Sequence, residues 1–412
     1  MKQTIKKLVA VVLPVVLFAA AAQGAGFALY EFSARTTAMG GATVANGPEA
    51  ASLATNPSLI TQLDGTQIQL GATIVTADAT TTVNGNSRSL ENDVWTLPNF
   101  YMTHKWNDDI SFGIGAFSRY GLGGTYKDPN SWPGSNLAYD VKLETMSFTP
   151  TIAVKANEQL SLAMGLEAMT IDFTQKSLYG AGLLPNPPGY ELHGTGVSWG
   201  GNFSLTYRPD WAEKWAVGAM YRSKIKQNLD GYIHTTTGTD INATLRHASA
   251  AGAITLPDSI TTGIAFQATD NWVMEAGIVG TFWSAYDQII IEYTDSETAP
   301  TIHNKKNYKD VYRLNFGTEY LLNKNWAVRA GYVFDKSPIN TQDMDTLVPV
   351  DDRHLVSVGF GYRNEKWSVD FAYTHLFARD LTGDSNSQSG NMPMKYSHGS
   401  SNMFALTLGL KY

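Results

Sequence analysis

The stretch Lys324-Asn325-Trp326-Ala327-Val328-Arg329-Ala330-Gly331-Tyr332-Val333-Phe334-Asp335 decides the fold. A polar turn runs into a tryptophan, and from there the residues alternate. Val328, Ala330, Tyr332 and Phe334 share one face, and Ala327, Arg329, Gly331 and Asp335 the other. A period of two marks a strand, because successive Cβ atoms point to opposite sides of a sheet. The same figure returns at Glu213-Lys214-Trp215, Asp270-Asn271-Trp272 and Glu365-Lys366-Trp367. After Trp367, Val369, Phe371 and Tyr373 oppose Ser368, Asp370, Ala372 and Thr374. Tryptophan at repeated strand starts reads as one rim of a barrel, where the indole sits between hydrocarbon and water.

Alternation by itself does not separate a soluble sandwich, whose apolar face points inward, from a membrane barrel, whose apolar face meets lipid. The ends of the chain supply that distinction. Lys2, Lys6 and Lys7 precede an apolar run from Leu8 to Ala22 and then Ala22-Gln23-Gly24, the pattern of a secretory signal peptide over residues 1–24. No later stretch approaches the roughly 20 apolar residues of a transmembrane helix. At the other end, Phe404, Leu406, Leu408 and Leu410 alternate up to Tyr412, the apolar strand with a terminal aromatic that outer-membrane barrels generally show.

Segments of this kind are expected near 67–76, 96–106, 110–122, 143–156, 160–178, 194–209, 215–234, 248–269, 272–294, 308–323, 326–339, 353–364, 367–383 and 400–412. Long connections, near 77–95, 123–142, 179–193, 235–247, 295–307, 340–352 and 384–399, alternate with six short turns. The expected fold is therefore all-β: a transmembrane antiparallel barrel of fourteen strands over 67–412, with both ends on the short-turn, periplasmic side. Closure is a physical requirement, since each unpaired backbone group at a sheet edge in hydrocarbon costs several kcal/mol.

Composition agrees with short strands and tight turns: 20 Tyr, 17 Phe, 10 Trp and 37 Gly among 412 residues. Cysteine is absent, which excludes a disulfide-stapled domain. The formal charge of −7, and the lack of a basic stripe, argue against nucleic acid as a partner. The eight histidines show no metal-ligand spacing, and neither Gly113-Ile114-Gly115 nor the Gly121, Gly123 pair sits at a strand-to-helix turn, so no metal or cofactor is expected.

Several motifs resemble the FadL-type long-chain fatty acid and hydrocarbon transporters. Ala25-Gly26-Phe27-Ala28-Leu29-Tyr30-Glu31-Phe32-Ser33 is similar to the family's mature start, and Asn56-Pro57-Ser58-Leu59-Ile60-Thr61 to its Asn-Pro-Ala hatch motif. Arg119-Tyr120-Gly121-Leu122, Tyr308-Lys309-Asp310-Val311-Tyr312-Arg313 and Phe334-Asp335-Lys336-Ser337-Pro338 add to the resemblance. It implies that residues 25–66 form a hatch inside the lumen, in keeping with the small residues Gly40, Gly41, Ala42, Ala50, Ala51 and Ala54. It also implies an apolar lumenal pocket, release by hatch movement, and lateral exit through a kink in the third strand, matched here by Gly121. The expected function is passive outer-membrane uptake of long-chain fatty acids in a Gram-negative bacterium, by a monomer surrounded by outer-membrane lipid and lipopolysaccharide. Uptake of uncharged hydrocarbons or aromatics is the alternative.

A carboxylate head group needs cations, and the candidates are Lys305, Lys306, Lys309, Arg313, Arg329 and Arg353. Inward-facing Glu275, Glu319, Asp335 and Asp370 offer the competing reading that lumenal arginines hold a plug in place. Two positions depart from the family pattern. Ser58 replaces alanine in the hatch motif, a change of one hydroxyl expected to matter little. Asp172 stands where the resemblance places a basic ligand contact, which would favour an uncharged cargo. An enzyme reading rests on Gly196-Val197-Ser198-Trp199-Gly200, the G-x-S-x-G pattern of serine hydrolases, with His354 or His375 as base. That pattern requires a sharp elbow into a helix, whereas Ser198 lies within an alternating strand, so an outer-membrane lipase is the weaker alternative.

Overall fold

The computed structural model describes residues 26–91, 93–237, 247–295, 301–349, 351–383 and 392–412. The signal peptide expected over 1–24, and the start at Ala25, lie outside the described residues. Fourteen strands run through the described chain. They are β1 Thr66–Val83, β2 Val94–Lys105, β3 in two pieces (Ile110–Phe117 and Gly121–Thr125), β4 Asp140–Lys155, β5 Leu160–Leu178 and β6 Gly189–Tyr207. Three more broken strands follow: β7 (Trp215–Arg222 and Ile225–Thr237), β8 (His247–Leu256 and Ser259–Thr269) and β9 (Trp272–Thr281 and Gln288–Tyr293). The ring is completed by β10 Val311–Leu321, β11 Trp326–Asp335, β12 Arg353–Arg363, β13 Trp367–Ala378 and β14 Met394–Lys411. No described helix is long and apolar enough to cross a membrane.

Every strand pairs antiparallel with its sequence neighbours, and β1 pairs with β14 from Gln67↔Lys411 to Val83↔Met394, which closes the barrel. The two ends meet on one rim, where Thr66 and Tyr412 exchange backbone hydrogen bonds of 3.0 and 2.9 Å. Phe404, Leu406, Leu408 and Leu410 face outward while Met403, Ala405 and Thr407 are buried, so the last strand presents its apolar side to lipid.

The expected strands agree with those observed in number and order, with three kinds of difference, the first being that β11 and β13 end at Asp335 and Ala378, short of the expected 339 and 383. β1, β6 and β14 extend further outward than expected, because their outer ends pair as long hairpins above the apolar band. Three strands expected to be continuous are interrupted, β7 at 223–224, β8 at 257–258 and β9 at 282–287, and β3, for which the resemblance implied a kink at Gly121, breaks at 118–120. The β7 interruption changes which side chains point inward. Met220 and Arg222 are buried before it, and Ile225, Gln227 and Leu229 after it, which is the effect of one extra residue in a ladder.

The N-terminal segment lies inside the ring. Its α1 helix (Ala34–Ala38) is capped by Ser33, whose hydroxyl accepts from the Thr36 N–H. A second short helix, α2 (Ser52–Thr55), leads through Asn56 into a 3-10 turn over Pro57–Gln62. Side chains from strands all around the wall bond to this segment. Thr407 Oγ1 accepts from the Ala34 N–H at 2.9 Å, and the Tyr101 hydroxyl donates to the Phe32 carbonyl at 2.9 Å. Glu275 accepts from the N–H groups of Val44, Ala45 and Asn46 at 2.6, 2.8 and 3.1 Å. A chain tied to β2, β9 and β14 at once fills the lumen between them.

Candidate functional site

The hatch motif fixes the segment to β6. The Asn56 amide donates to the Val44 carbonyl at 2.6 Å and to Leu205 O and Thr206 Oγ1, each at 3.0 Å. Pro57 opens the 3-10 turn, where its missing N–H leaves nothing unpaired. Ser58 is fully buried; its N–H donates to Ser204 Oγ at 3.1 Å, and its hydroxyl lies 2.7 Å from both Asn56 Oδ1 and Thr206 Oγ1. The expectation that this hydroxyl matters little is therefore corrected: it joins the motif to the wall.

The expected lumenal arginines do face inward, and each meets a carboxylate. Arg329 bridges Glu319 at 2.5 Å and Asp370 at 2.6 Å, and Arg35 of α1 joins the chain through Glu319 at 3.0 Å. Burial works against the Arg35 charge, but Glu319 and Glu49 outweigh it and hold this guanidinium above its ordinary pKa. Arg313 and Arg353 share Asp335 at 3.2 and 2.6 Å, and Arg313 also lies over the Tyr30 ring, 4.3 Å from its centre. Lys306 is buried against Asp345 near the outer end. Lys305 and Lys309 are exposed, and the structure does not bring them to the lumenal arginines.

A third arginine cluster was not among the sequence candidates. Arg119 and Arg222 share Glu167 at 2.9 and 3.2 Å, and all three are buried. Arg119 belongs to the quoted motif Arg119-Tyr120-Gly121-Leu122, but it sits in the β3 interruption, where alternation gives no orientation. Arg222 ends the first piece of β7, immediately before its inside-out switch, and is equally hard to place by alternation.

Above these ion pairs the lumen turns apolar. Phe27, Tyr120, Leu122, Met169, Ile171, Phe173, Leu229, Trp283 and Tyr286 belong to one buried cluster. Phe27 is its centre, with ring centres 4.8 Å from Trp283, 5.2 Å from Tyr286 and 6.0 Å from Tyr120 in edge-on contacts. Asp172 is not part of it. Its neighbours Ile171 and Phe173 point inward, so Asp172 points outward, half exposed and 3.4 Å from His193. The expected repulsion of a carboxylate by Asp172 is thereby overturned.

The wall beside this cluster has a slot. β2 pairs with β3 only from Phe100↔Ala116 to Lys105↔Ser111, while Val94–Asn99 continue paired with β1 alone. The second piece of β3, from Gly121 to Thr125, pairs with β4. The N-terminal segment takes the vacated place: Leu29 N donates to Arg119 O at 2.8 Å, and Gly121 N donates to Phe27 O at 2.9 Å. The break lies at 118–120, so Gly121 is the first residue beyond it and not its centre. Trp95 reaches across, and a Cβ on Gly123 would stand 2.5 Å from its indole.

Ser198 lies in the β6 ladder opposite Met169, with no elbow or helix after it. His354 Nδ1 is 2.7 Å from the Tyr332 hydroxyl, and His375 Nδ1 is 2.8 Å from Asn402, so each ring has a partner of its own. No group of three or more metal-ligating side chains occurs among the described residues.

A closed fourteen-stranded antiparallel barrel, with its N-terminal segment bonded to the inner wall, is the architecture of an outer-membrane transport protein. The chain belongs to the outer membrane protein transport protein family (OMPP1/FadL/TodX), whose model matches residues 15–412. It is 26% identical over 421 residues to the long-chain fatty acid transport protein of Escherichia coli strain K12, covering 90% of this chain and 92% of that one. Among solved structures, a Pseudomonas aeruginosa FadL homologue superposes with a TM-score of 0.83 at 19% identity, over 94% of this chain and all (100%) of the other. The Pseudomonas putida toluene transporter TodX gives 0.73 at 18% identity, over 94% and 99%. These structures share the fold.

Proposed function

We propose that this protein takes up long-chain fatty acids, or apolar molecules of similar shape, through a hatch-gated barrel with lateral exit, and that it catalyses no reaction. One observation carries the reading: the β2–β3 slot opens beside the apolar cluster and is filled by Phe27–Leu29 of the N-terminal segment. A lipid chain loses on the order of 0.8 kcal/mol per CH₂ on entering water. Leaving through the wall into the bilayer avoids that loss, whereas leaving through the periplasmic mouth would lead past buried ion pairs. Residues 25–66 act as the hatch, with Asn56, Pro57 and Ser58 as its fixed end and Phe27–Leu29 as the end that must move.

Replacing Gly121 by phenylalanine sets a bulky side chain at the slot where the Phe27 carbonyl docks. Uptake of oleate by cells carrying Gly121→Phe should fall several-fold while the barrel remains folded, as judged by heat-modifiable migration in gels. Unchanged uptake by a folded variant would remove lateral exit from the mechanism. The uncharged-hydrocarbon alternative gains from the relatives that are toluene transporters, and competition between oleate and toluene for the same binding signal distinguishes the two cargoes.

A further inference from the structure

We infer that Arg119 and Arg222 form the head-group site of this protein, binding the carboxylate of an amphiphile whose chain lies in the apolar cluster above. This rests on the transport reading above and deepens it.

Charge is the first argument. Two guanidinium groups share one carboxylate, Glu167, whose Oε2 accepts from both while Oε1 accepts from the Ser147 hydroxyl at 2.6 Å. Among the described residues no other acid pairs with either arginine. The trio therefore holds a buried excess of one positive charge, a costly arrangement unless an anion joins it. The Arg35, Arg329, Glu319 and Asp370 chain differs, because its charges cancel, and in the Arg313, Arg353 and Asp335 trio, which carries the same excess, the Arg313 guanidinium is covered by the Tyr30 ring. That chain can hold a plug without a ligand.

Donor geometry is the second. Arg222 is committed, giving Nη1 to Glu167 and Nη2 to the carbonyls of Leu53 and Ala54 at 3.3 and 2.9 Å, with its guanidinium over Phe117. Arg119 gives Nη1 to Glu167 and only a long 3.4 Å bond from Nη2 to the Tyr120 hydroxyl, and its Nε makes no hydrogen bond among the described residues. The Nε and Nη2 edge of a guanidinium is the fork that binds a carboxylate through two parallel bonds. The buried hydroxyl of the adjoining Ser118 also lacks a partner in the protein.

Position is the third. A cavity of about 50 Å³ is bordered by Arg119, Arg222, Tyr30, Ser259 and Thr281, and shares Ala28 and Tyr120 with the apolar cluster. That space suits roughly three or four waters, enough for a head group but not for a chain. Ala28 and Leu29 line it, and they belong to the stretch held at the β3 break, where Leu29 N donates to Arg119 O, Gly121 N donates to Phe27 O, and Ala28 lies opposite Tyr120. A carboxylate arriving at Arg119 thus sits directly under the part of the hatch that must move, so head-group binding and displacement of Phe27–Leu29 are physically coupled.

The test compares oleate with oleyl alcohol, two ligands of equal chain length and different head charge, binding to the full-length barrel in nanodiscs. Arg119→Gln should weaken oleate at least about tenfold while changing oleyl alcohol less than about twofold, since only the charged head loses its partner. Arg119→Lys should restore part of the oleate affinity. A structural role alone would weaken both ligands together, and an unchanged oleate-to-alcohol ratio in a folded Arg119→Gln barrel overturns the assignment. Glu167→Gln gives a second route if that variant does not fold: removing the competing carboxylate should raise the ratio, and a fall or no change counts against the site. Failure of the wild type to bind either ligand would instead reject the transport reading on which the site depends.

Discussion

The two halves of the lumen are built on opposite principles, and β5 shows both within one strand. In its periplasmic half Leu162, Met164 and Leu166 face lipid, while Ser161, Ala163 and Glu167 face inward. In its outer half Met169, Ile171 and Phe173 face inward, while Thr170, Asp172 and Thr174 face out. The alternation never pauses, yet its polarity reverses. The lower half answers to the N-terminal segment, whose backbone takes hydrogen bonds and charges from the wall. The upper half turns apolar side chains inward, into the cluster around Phe27, and polar ones outward. A barrel wall is thus read correctly only when the contents of its lumen are known at each level.

The sharpest way to break this contrast is to remove the plug. A barrel lacking residues 25–65 should pass from a closed to a large ion conductance in planar bilayers, and a deletion barrel that still blocked ions would show that the upper half seals the lumen by itself. Next comes Arg35→Ala, which leaves the Glu319 carboxylate buried beside Arg329 with one partner gone. Breaking a buried pair in this way costs about 3–5 kcal/mol. We expect the N-terminal segment to become open to added protease while apolar ligand binding stays within about twofold, because the upper cluster is untouched. Loss of ligand binding as well would mean that the two halves are not independent. Ser58→Ala has the smallest effect: it strips a partner from Thr206 and Asn56 in a buried network, for about 1 kcal/mol, read as a modest rise in spontaneous channel openings.

Strand number, order and rim were legible because they depend on local alternation and on turn residues, and Trp215, Trp272, Trp326 and Trp367 all begin strands as expected. Of the interruptions, only the one in β3 was anticipated, and that from the family resemblance at Gly121; those in β7 and β9 were not legible. At Ser223 and Lys224 the pattern on either side is good strand pattern, and only the facing changes. In β9 the aromatic run through Phe282, Trp283 and Tyr286 continues the look of a lipid-facing strand, although Trp283 is fully buried in the lumen. In β8 the signal was Pro257, since proline cannot donate to a central ladder, and the strand breaks there. For the same reason the inward orientation of Arg313, Arg329 and Arg353 followed from regular strands, whereas Arg119 and Arg222 stand at breaks and escaped notice. The outward facing of Asp172 is not legible either, because the reversal of polarity within β5 leaves no mark on the period.

The pairing of β1 with β14 has a consequence for how the molecule forms. Its contacts join residues more than three hundred positions apart, from Gln67 to Lys411, so the ring's final seam carries the greatest loop-closure entropy of any in the barrel. Until that seam zips, the sheet has two bare edges, each a template for association with another chain. Assembly is therefore slowest and most vulnerable at its last step. The long outer ends of β1 and β14 shorten that interval by offering a long run of pairs to register once the strands meet.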